Sequence, residues 1–371
     1  MRMHITFVLS SLKLSGGVIL VVEVANHLAM RGHQVTLLAP LNAIDPEIHQ
    51  RIRPPVQVRF ASVGIPATRN PLKLLNLTLS LVQNTPPSDV VIATHTPTTL
   101  PVLLATWWKR QKPLWLYMDY PEMFRRRPIE RFLLNTAPYG FSTIIAISSF
   151  LAQNAAKRTF GKVHLIKPGL GMEISEEKLH LSNLRSDQER QGWRIMYVGD
   201  DRPRKGLKDF IVAMEKVYAH SLPICAVIVC KHECQLKIDI PHELYIRPSN
   251  HELAKLYLNC DIFVSTSWEE GLGYPPLQAM ALGKPCVVAE SGGSRDYTIH
   301  GFNAIVVPSQ DPQAVAEGII QLINDEKLRS MLGRNGQLTA SKYNWEKAID
   351  EFEKLLSAIV GVRKTVTGAE S

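Results

Sequence analysis

The stretch Ser265-Thr266-Ser267-Trp268-Glu269-Glu270-Gly271-Leu272-Gly273-Tyr274-Pro275-Pro276-Leu277-Gln278-Ala279-Met280-Ala281-Leu282-Gly283-Lys284-Pro285 reads as a strand end, an acidic glycine loop, a helix, a tight turn and a new strand. Glycines at 271 and 273 let backbone amides approach a ligand closely, because no Cβ intervenes. A helix N-terminus adds unpaired N–H groups and partial positive charge, which favours phosphate. Pro275 and Pro276 supply no N–H but suit first helical positions. The amides left to donate are those of Gly271, Leu272, Gly273 and Tyr274. Glu270 repels phosphate, so its carboxylate is suited to accept hydrogen bonds from hydroxyls. Gln278, in the first helical turn, is placed to face the same ligand.

The same alternation continues on both sides. Upstream, strands are expected at 193–198, 224–229, 244–247 and 261–266, with helices at 207–219 and 251–259. Downstream, a helix at 276–282, strands at 285–289 and 304–307 and a helix at 313–324 follow. A last amphipathic helix over 345–360 collects Ala348, Ile349, Phe352, Leu355, Leu356 and Ile359 on one face. The first half repeats the texture, with strands at 4–10, 34–39, 56–60, 89–94, 114–118 and 143–147. Val18, Val21, Val22, Ala25, Leu28 and Ala29 recur at helical spacing, and Gly32 suits the end of that helix. Strand-helix-strand repetition specifies parallel βαβ units. Between the halves, 171–191 loses apolar periodicity. The expected fold class is therefore α/β, two Rossmann-like doubly wound parallel-sheet domains facing a central cleft. The expected division is an N-terminal domain over 1–170, a linker over 171–191, a C-terminal domain over 192–340 and a helix and tail over 341–371 packing back toward the N-terminal domain. In such sheets ligands sit beyond the carboxyl ends of the strands.

Composition sets outer bounds. A chain of 371 residues exceeds what one core normally holds. Its 45% hydrophobic and 20% charged content is that of a globular protein. A net charge of +8 suits an anionic ligand, a membrane surface, nucleic acid or simple solubility, and does not choose among them. Arg125, Arg126, Arg127 and Arg131 follow Asp119-Tyr120-Pro121-Glu122. They read either as a solvated helix face or as a patch for anionic lipid or an anionic acceptor, and both readings stay open. Five cysteines, an odd number beside strand residues, point to reduced thiols and the cytoplasm. Cys230-Lys231-His232-Glu233-Cys234 lacks a second ligand pair and is not read as a metal loop. No run approaches the roughly 20 apolar residues of a membrane span, and residues 1–10 read as a strand rather than a cleaved signal. Any membrane contact is expected to be peripheral.

Taken together these motifs resemble the donor-binding signature of retaining glycosyltransferase family 4 (glycosyl transferases group 1). That family has the two-domain GT-B fold and includes many bacterial α-mannosyl- and α-glucosyltransferases. Its signature is Glu, seven residues, then Glu; here Glu270 stands first and Gln278 occupies the second position. The resemblance implies that Glu270 contacts the donor sugar and that position 278 meets the nucleotide ribose, where glutamine both accepts and donates. Val198-Gly199-Asp200-Asp201-Arg202-Pro203-Arg204-Lys205-Gly206 is similar to the family's diphosphate-binding loop. Lys205 falls on its lysine. Asp200 stands where its arginine is usual, so Arg202 or Arg204 substitutes, with Arg202 preferred. Ser291-Gly292-Gly293-Ser294-Arg295-Asp296 matches a double glycine followed by an acid. In the first half, Ser15-Gly16-Gly17 and Arg31-Gly32-His33-Gln34-Val35 match the opening unit. His95 matches by position a histidine that bonds the donor sugar. Asp119 ends the next strand, where an acceptor is reachable.

The resemblance thus implies Glu270 and His95 as catalytic residues. Gly16, Gly17, Arg202, Lys205, Gly271, Leu272, Gly273 and Gln278 are implied as donor-binding. No metal is assigned, since Asp200-Asp201 sits among cations, and no cofactor beyond a UDP-, GDP- or ADP-sugar donor. The implied reaction moves a hexose to an acceptor hydroxyl with retention by same-face attack, the departing phosphate taking the acceptor proton. The protein then contributes positioning and charge stabilisation. The acceptor is a glycan, a lipid-linked molecule or a small molecule, not nucleic acid. The expected setting is cell-surface glycan or glycolipid synthesis, cytoplasmic or peripheral at the inner membrane face. Two alternatives stand beside this, a GT-B-fold nucleotide-sugar epimerase and a non-catalytic nucleotide-sugar-binding protein. A nicotinamide dehydrogenase fits poorly. Gly16-Gly17 is not a Gly-x-Gly-x-x-Gly fingerprint, and no acid closes the strand ending Leu38-Ala39-Pro40.

Overall fold

The computed structural model describes residues 1–65, 71–109, 111–125, 127–170, 192–234 and 237–367. The segment 171–191, expected as a linker, and Arg126 of the basic stretch lie outside the described residues. The chain divides into two compact units, Met1–Gly171 with Asn344–Ser371, and Met172–Tyr343.

The first unit is a seven-stranded sheet in the order β3-β2-β1-β4-β5-β6-β7. Its strands are β1 (His4–Val8), β2 (Gln34–Leu41), β3 (Gln57–Gly64), β4 (Val90–Ala93), β5 (Lys112–Tyr117), β6 (Thr143–Ala146) and β7 (Lys162–Leu165). Every neighbouring pair is parallel. Thr6, for example, faces Thr36 on one side and Val91 on the other. Strands buried on both faces are near-continuous apolar runs, and Val90–Ala93 is buried throughout. The connecting helices are α1 (Gly16–Met30), α2 (Pro46–Arg51), α3 (Pro71–Asn84), α4 (Thr99–Lys109), α5 (Pro128–Thr136) and α6 (Ser149–Ala156). The winding direction reverses between β1 and β4. Right-handed crossovers therefore place α1 and α2 on one face and α3 to α6 on the other.

The second unit is a six-stranded parallel sheet in the order β10-β9-β8-β11-β12-β13. Its strands are β8 (Trp193–Gly199), β9 (Ile224–Cys230), β10 (His242–Ile246), β11 (Ile262–Ser265), β12 (Cys286–Ala289) and β13 (Ile305–Val307). Around it lie α7 (Leu207–Ala219), α8 (Asn250–Asn259), α9 (Tyr274–Ala281), α10 (Pro312–Asn324) and α11 (Glu326–Ala340). Its core joins Ile195, Tyr197, Phe210, Met214, Ile262, Val287, Ile319 and Leu322. Helix starts follow capping chemistry. Ser249 and Glu252 close a reciprocal capping box on α8, and Asp311 and Asp325 cap α10 and α11. Here the reversal falls between β8 and β11.

The final helix, α12 (Trp345–Thr367), belongs to the first unit and packs on α1. Its Trp345 indole donates to the Leu170 carbonyl at 3.1 Å and stacks on His27 with centroids 5.3 Å apart. Arg31 pairs with Asp350 at 2.5 Å and Glu353 at 3.0 Å.

Two elements lie outside the sequence expectation. β7 is a short, half-buried edge strand with weak patterning. α11 contains Gly333 and Gly336, residues that argue against a helix on propensity. Close packing explains them. A Cβ at Gly333 would stand 2.4 Å from the Gly283 carbonyl oxygen, and one at Gly336 3.1 Å from Met280 Cγ.

Candidate active site

In the second unit, the loops after β8 and β11 leave adjacent strands at the point where the winding reverses, the position where open α/β sheets hold ligands. Register fixes their proximity, since Ile262, Phe263 and Val264 pair with Ile195, Met196 and Tyr197. Hydrogen bonds then join the loops. The Trp268 amide donates to the Arg204 carbonyl at 2.7 Å, and Thr266 Oγ1 to the Gly206 carbonyl at 2.7 Å. The Tyr197 hydroxyl holds the Lys205 carbonyl at 2.9 Å, and Trp268 Nε1 donates to Asp209 Oδ2 at 2.6 Å. Gly206 adopts φ +68°, and a Cβ there would meet the Thr266 carbonyl oxygen at 2.0 Å. No other residue type fits that approach.

The two loops bring Lys205 Nζ to 2.6 Å from Glu270 Oε1, with side chains 14% and 13% exposed. Arg204 Nη1 lies 3.7 Å from Glu270 Oε2 and donates to the Glu269 carbonyl at 2.8 Å. Burial pushes the Glu270 carboxyl up, but the charges of Lys205 and Arg204 and hydrogen bonds from Lys205 and Ser267 more than offset this. Its pKa lies below the ordinary carboxylate value. Two cations thus share one carboxylate beside a glycine loop.

The glycine loop is braced from behind. Gly273, at φ +84°, opens α9, and its carbonyl accepts from the buried Tyr297 hydroxyl at 2.7 Å. The Gly293 amide donates to the Glu270 carbonyl at 2.8 Å, and a Cβ at Gly293 would stand 2.3 Å from the Gly271 carbonyl oxygen. Gly293, the second glycine of the pair, therefore serves close packing of this loop. Asp296 ends the short turn Gly293–Asp296. Gly271 and Leu272 are buried in the loop. Gln278 lies on α9, where its Oε1 accepts from the buried Tyr257 hydroxyl at 3.2 Å.

Arg202, preferred from sequence as the diphosphate cation, is turned to Asp200. Its Nε and Nη2 lie 2.8 and 2.5 Å from the two carboxylate oxygens, and its amide donates to Asp200 at 3.0 Å. Arg204 is the arginine that the structure brings to Lys205 and Glu270. The choice turns on Asp200, which is 6% exposed and recruits the nearest fork. Burial pushes the Asp200 carboxyl up, but Arg202 holds it below its usual range. Ser267, Tyr197 and Tyr297 also support the site without having been singled out from sequence. Only Ser267, three residues before Glu270, carried a local signal.

The first unit has its own polar constellation at the β1/β4 reversal. Ser15 caps α1 by accepting from the Val18 amide at 3.2 Å, which sets Gly16 and Gly17 in its first turn. A Cβ at Gly17 would stand 3.0 Å from His95 Nε2, so the glycine lets the ring approach the helix start. Thr94 Oγ1 donates its proton to the Val8 carbonyl at 2.9 Å and so accepts from His95 Nδ1 at 3.0 Å. That assigns the proton to Nδ1 and leaves Nε2 as an acceptor. Burial lowers the His95 pKa, against a smaller opposing effect of Asp119. Among the described residues, no group of three or more His, Cys, Asp or Glu is placed to hold a metal ion.

Comparisons with known proteins bear on the family and the fold. The pattern of Glycosyltransferase Family 4 matches residues 14–173, and that of Glycosyl transferases group 1 matches 184–339. A Methanocaldococcus jannaschii glycosyltransferase is 32% identical over 157 residues, 42% of this chain and 45% of that protein. The Staphylococcus aureus capsular polysaccharide biosynthesis glycosyltransferase CapM is 27% identical over 243 residues, 60% of this chain and 63% of its own length. The matched stretches thus span about half of these relatives. Among solved structures, Anabaena HepE in complex with UDP-glucose aligns with TM-score 0.77 and 20% identity over 96% of this chain and 100% of that chain. Sucrose-phosphate synthase from Thermosynechococcus elongatus aligns with TM-score 0.79 and 18% identity over 97% and 100%. At these identities the likeness is one of fold.

Proposed function

Because both halves of the chain belong to the glycosyltransferases, the first to family 4 and the second to group 1, on the GT-B fold, we propose that it moves a hexose from a nucleoside-diphosphate sugar to an acceptor hydroxyl with retention. The observation that carries this reading is the Lys205–Glu270 pair at 2.6 Å, with Arg204 beside it and the Gly271–Gly273 turn attached. Lys205 and Arg204 are suited to a diphosphate and to the charge that grows on it as the glycosidic bond breaks. Glu270, held ionised, accepts hydrogen bonds from sugar hydroxyls, and Gln278 offers an amide to the ribose. In the first unit, His95 Nε2 is a further hydroxyl acceptor. No enzyme nucleophile is invoked; the leaving phosphate takes the acceptor proton, and the protein positions the reactants.

The UDP-glucose bound in the HepE structure supports a uridine donor, and the capsular role in CapM's name supports a cell-surface glycan acceptor. Five cysteines, unpaired in the structure, support a cytoplasmic setting. Calorimetry with UDP, GDP and ADP, followed by NMR of the product with the matching sugar, tests the proposal. An α-linked product from an α-linked donor supports it. An inverted product refutes retention. With donor alone, an isomerised sugar means an epimerase, while binding without turnover on any acceptor means a non-catalytic protein.

A further inference from the structure

On α4, Leu100, Leu104, Trp107 and Trp108 recur at i, i+4, i+7 and i+8 and form one outward stripe, with Trp107 79% and Trp108 77% exposed. On α3, which packs against α4, Leu72, Leu75 and Leu79 form a second exposed stripe. α5 adds exposed Ile129 and Phe132 beside exposed Arg125, Arg127 and Arg131. α5 sits next to α4. It packs on the short turn Thr96–Thr98 that leads into α4, and on the turn Ala137–Gly140, against which Leu103 of α4 rests. Single exposed leucines are ordinary, but adjoining stripes with two tryptophans make a patch. α3 and α4 contain no Asp or Glu, and Glu130 of α5 is turned inward, within 3.8 Å of Arg127.

We propose that this face of the first unit docks on an anionic membrane surface. Tryptophan combines an apolar ring with one polar N–H and suits the boundary between headgroups and acyl chains. Arg125, Arg127 and Arg131 outnumber the one half-exposed carboxylate beside them, Glu122, and this positive excess is drawn to anionic lipid. A second copy of the chain is a poorer occupant, because a two-fold contact through this face would bring like-charged arginines together on a protein of net charge +8. Among the described residues no helix is long and apolar enough to cross a membrane, so the contact is interfacial.

The test is co-sedimentation of the full chain with phosphatidylcholine vesicles with and without phosphatidylglycerol. Binding is expected only with phosphatidylglycerol, falling as salt rises. Trp107→Ser/Trp108→Ser should weaken it by about tenfold or more with unchanged thermal unfolding, and Arg131→Glu should weaken it less. No binding, equal binding to both vesicle types, or binding untouched by the double serine variant would overturn the proposal. So would a wild-type dimer in solution that the double variant dissolves, since the face would then join two copies. Nucleotide binding, measured separately, bears on the donor site and not on this outcome.

Discussion

Lys205 and Glu270 lie 65 residues apart in sequence and meet at 2.6 Å between loops of adjacent strands. Both are largely buried, so removing Lys205 leaves Glu270 with only the longer 3.7 Å contact to Arg204 as charge compensation, at a cost of about 3 kcal/mol. Lys205→Ala should therefore lower stability in urea titrations. Adding Glu270→Gln should restore most of that loss while donor turnover stays lost, because the second change removes the stranded charge but not the need for the site. Equal instability of the single and double variants would mean that the pair is not coupled. The pH dependence has a definite sign. Glu270 has a depressed pKa, so its pairing stabilises fully above the ordinary value of 4.5 and is lost as pH falls through the lowered folded value.

Arg204 and Arg202 make opposite predictions. Arg204→Ala removes a cation beside Glu270 and should weaken nucleoside-diphosphate binding about tenfold in calorimetry. Arg202→Ala should leave that affinity nearly unchanged but lower the melting temperature, because it strands the buried Asp200 carboxylate. A larger affinity loss in the Arg202 variant would reverse the assignment.

The contrast between these arginines marks how far sequence reached. The two sheets and the loop around Glu270 were legible because they are written in short-range signals: apolar runs, glycines before a helix, a Lys-Gly pair. The identity of the second cation depends on a contact made after folding, Asp200 with Arg202, and on the Trp268 amide fixing the Arg204 backbone. The role of Gly293 depends on the Gly271 backbone packed against it. α11 is illegible in the sequence for a related reason. Its glycines lower helix propensity locally and are repaid by close contact with Gly283 and Met280, residues about 50 positions upstream.

His95 sets a pH expectation in the first unit. Burial lowers its pKa from 6.5, so the ring stays neutral, with Nε2 free to accept, until the pH drops below that value. If Nε2 accepts from a sugar hydroxyl, kcat/KM should hold from neutrality to below pH 6.5 and then fall. His95→Gln should lower kcat/KM and remove that acid limb. A limb centred above 6.5 in the wild type, or one that persists unaltered in the variant, would take His95 out of this role.

The seat of α12 can be tested through Trp345. Its indole bonds the Leu170 carbonyl, its ring stacks on His27, and a Cβ at Gly169 would stand 2.4 Å from its Cγ. Trp345→Ala should destabilise by about 3 kcal/mol and make α12 the first site of limited proteolysis. Gly169→Ala should reach a similar result from the opposite side, by pushing the ring out. Protease resistance unchanged in both would show that α12 is held by its other contacts alone.

Gly206 offers the sharpest separation of geometry from chemistry, since it carries no functional group. Its φ of +68° costs an alanine about 1–2 kcal/mol. The 2.0 Å approach to the Thr266 carbonyl oxygen forces the two loops apart in addition. Gly206→Ala should lose several degrees of melting temperature and, with every charged side chain intact, also lose donor affinity, because Lys205 is carried on the displaced loop. The comparison variant is Thr266→Val, which removes the hydroxyl's bond to the Gly206 carbonyl but keeps the side-chain volume. It should show a smaller change in both quantities. If Gly206→Ala melts early yet binds nucleoside diphosphate normally, the spacing of the two loops is not what holds the donor, and the cations act without the precise register proposed for them.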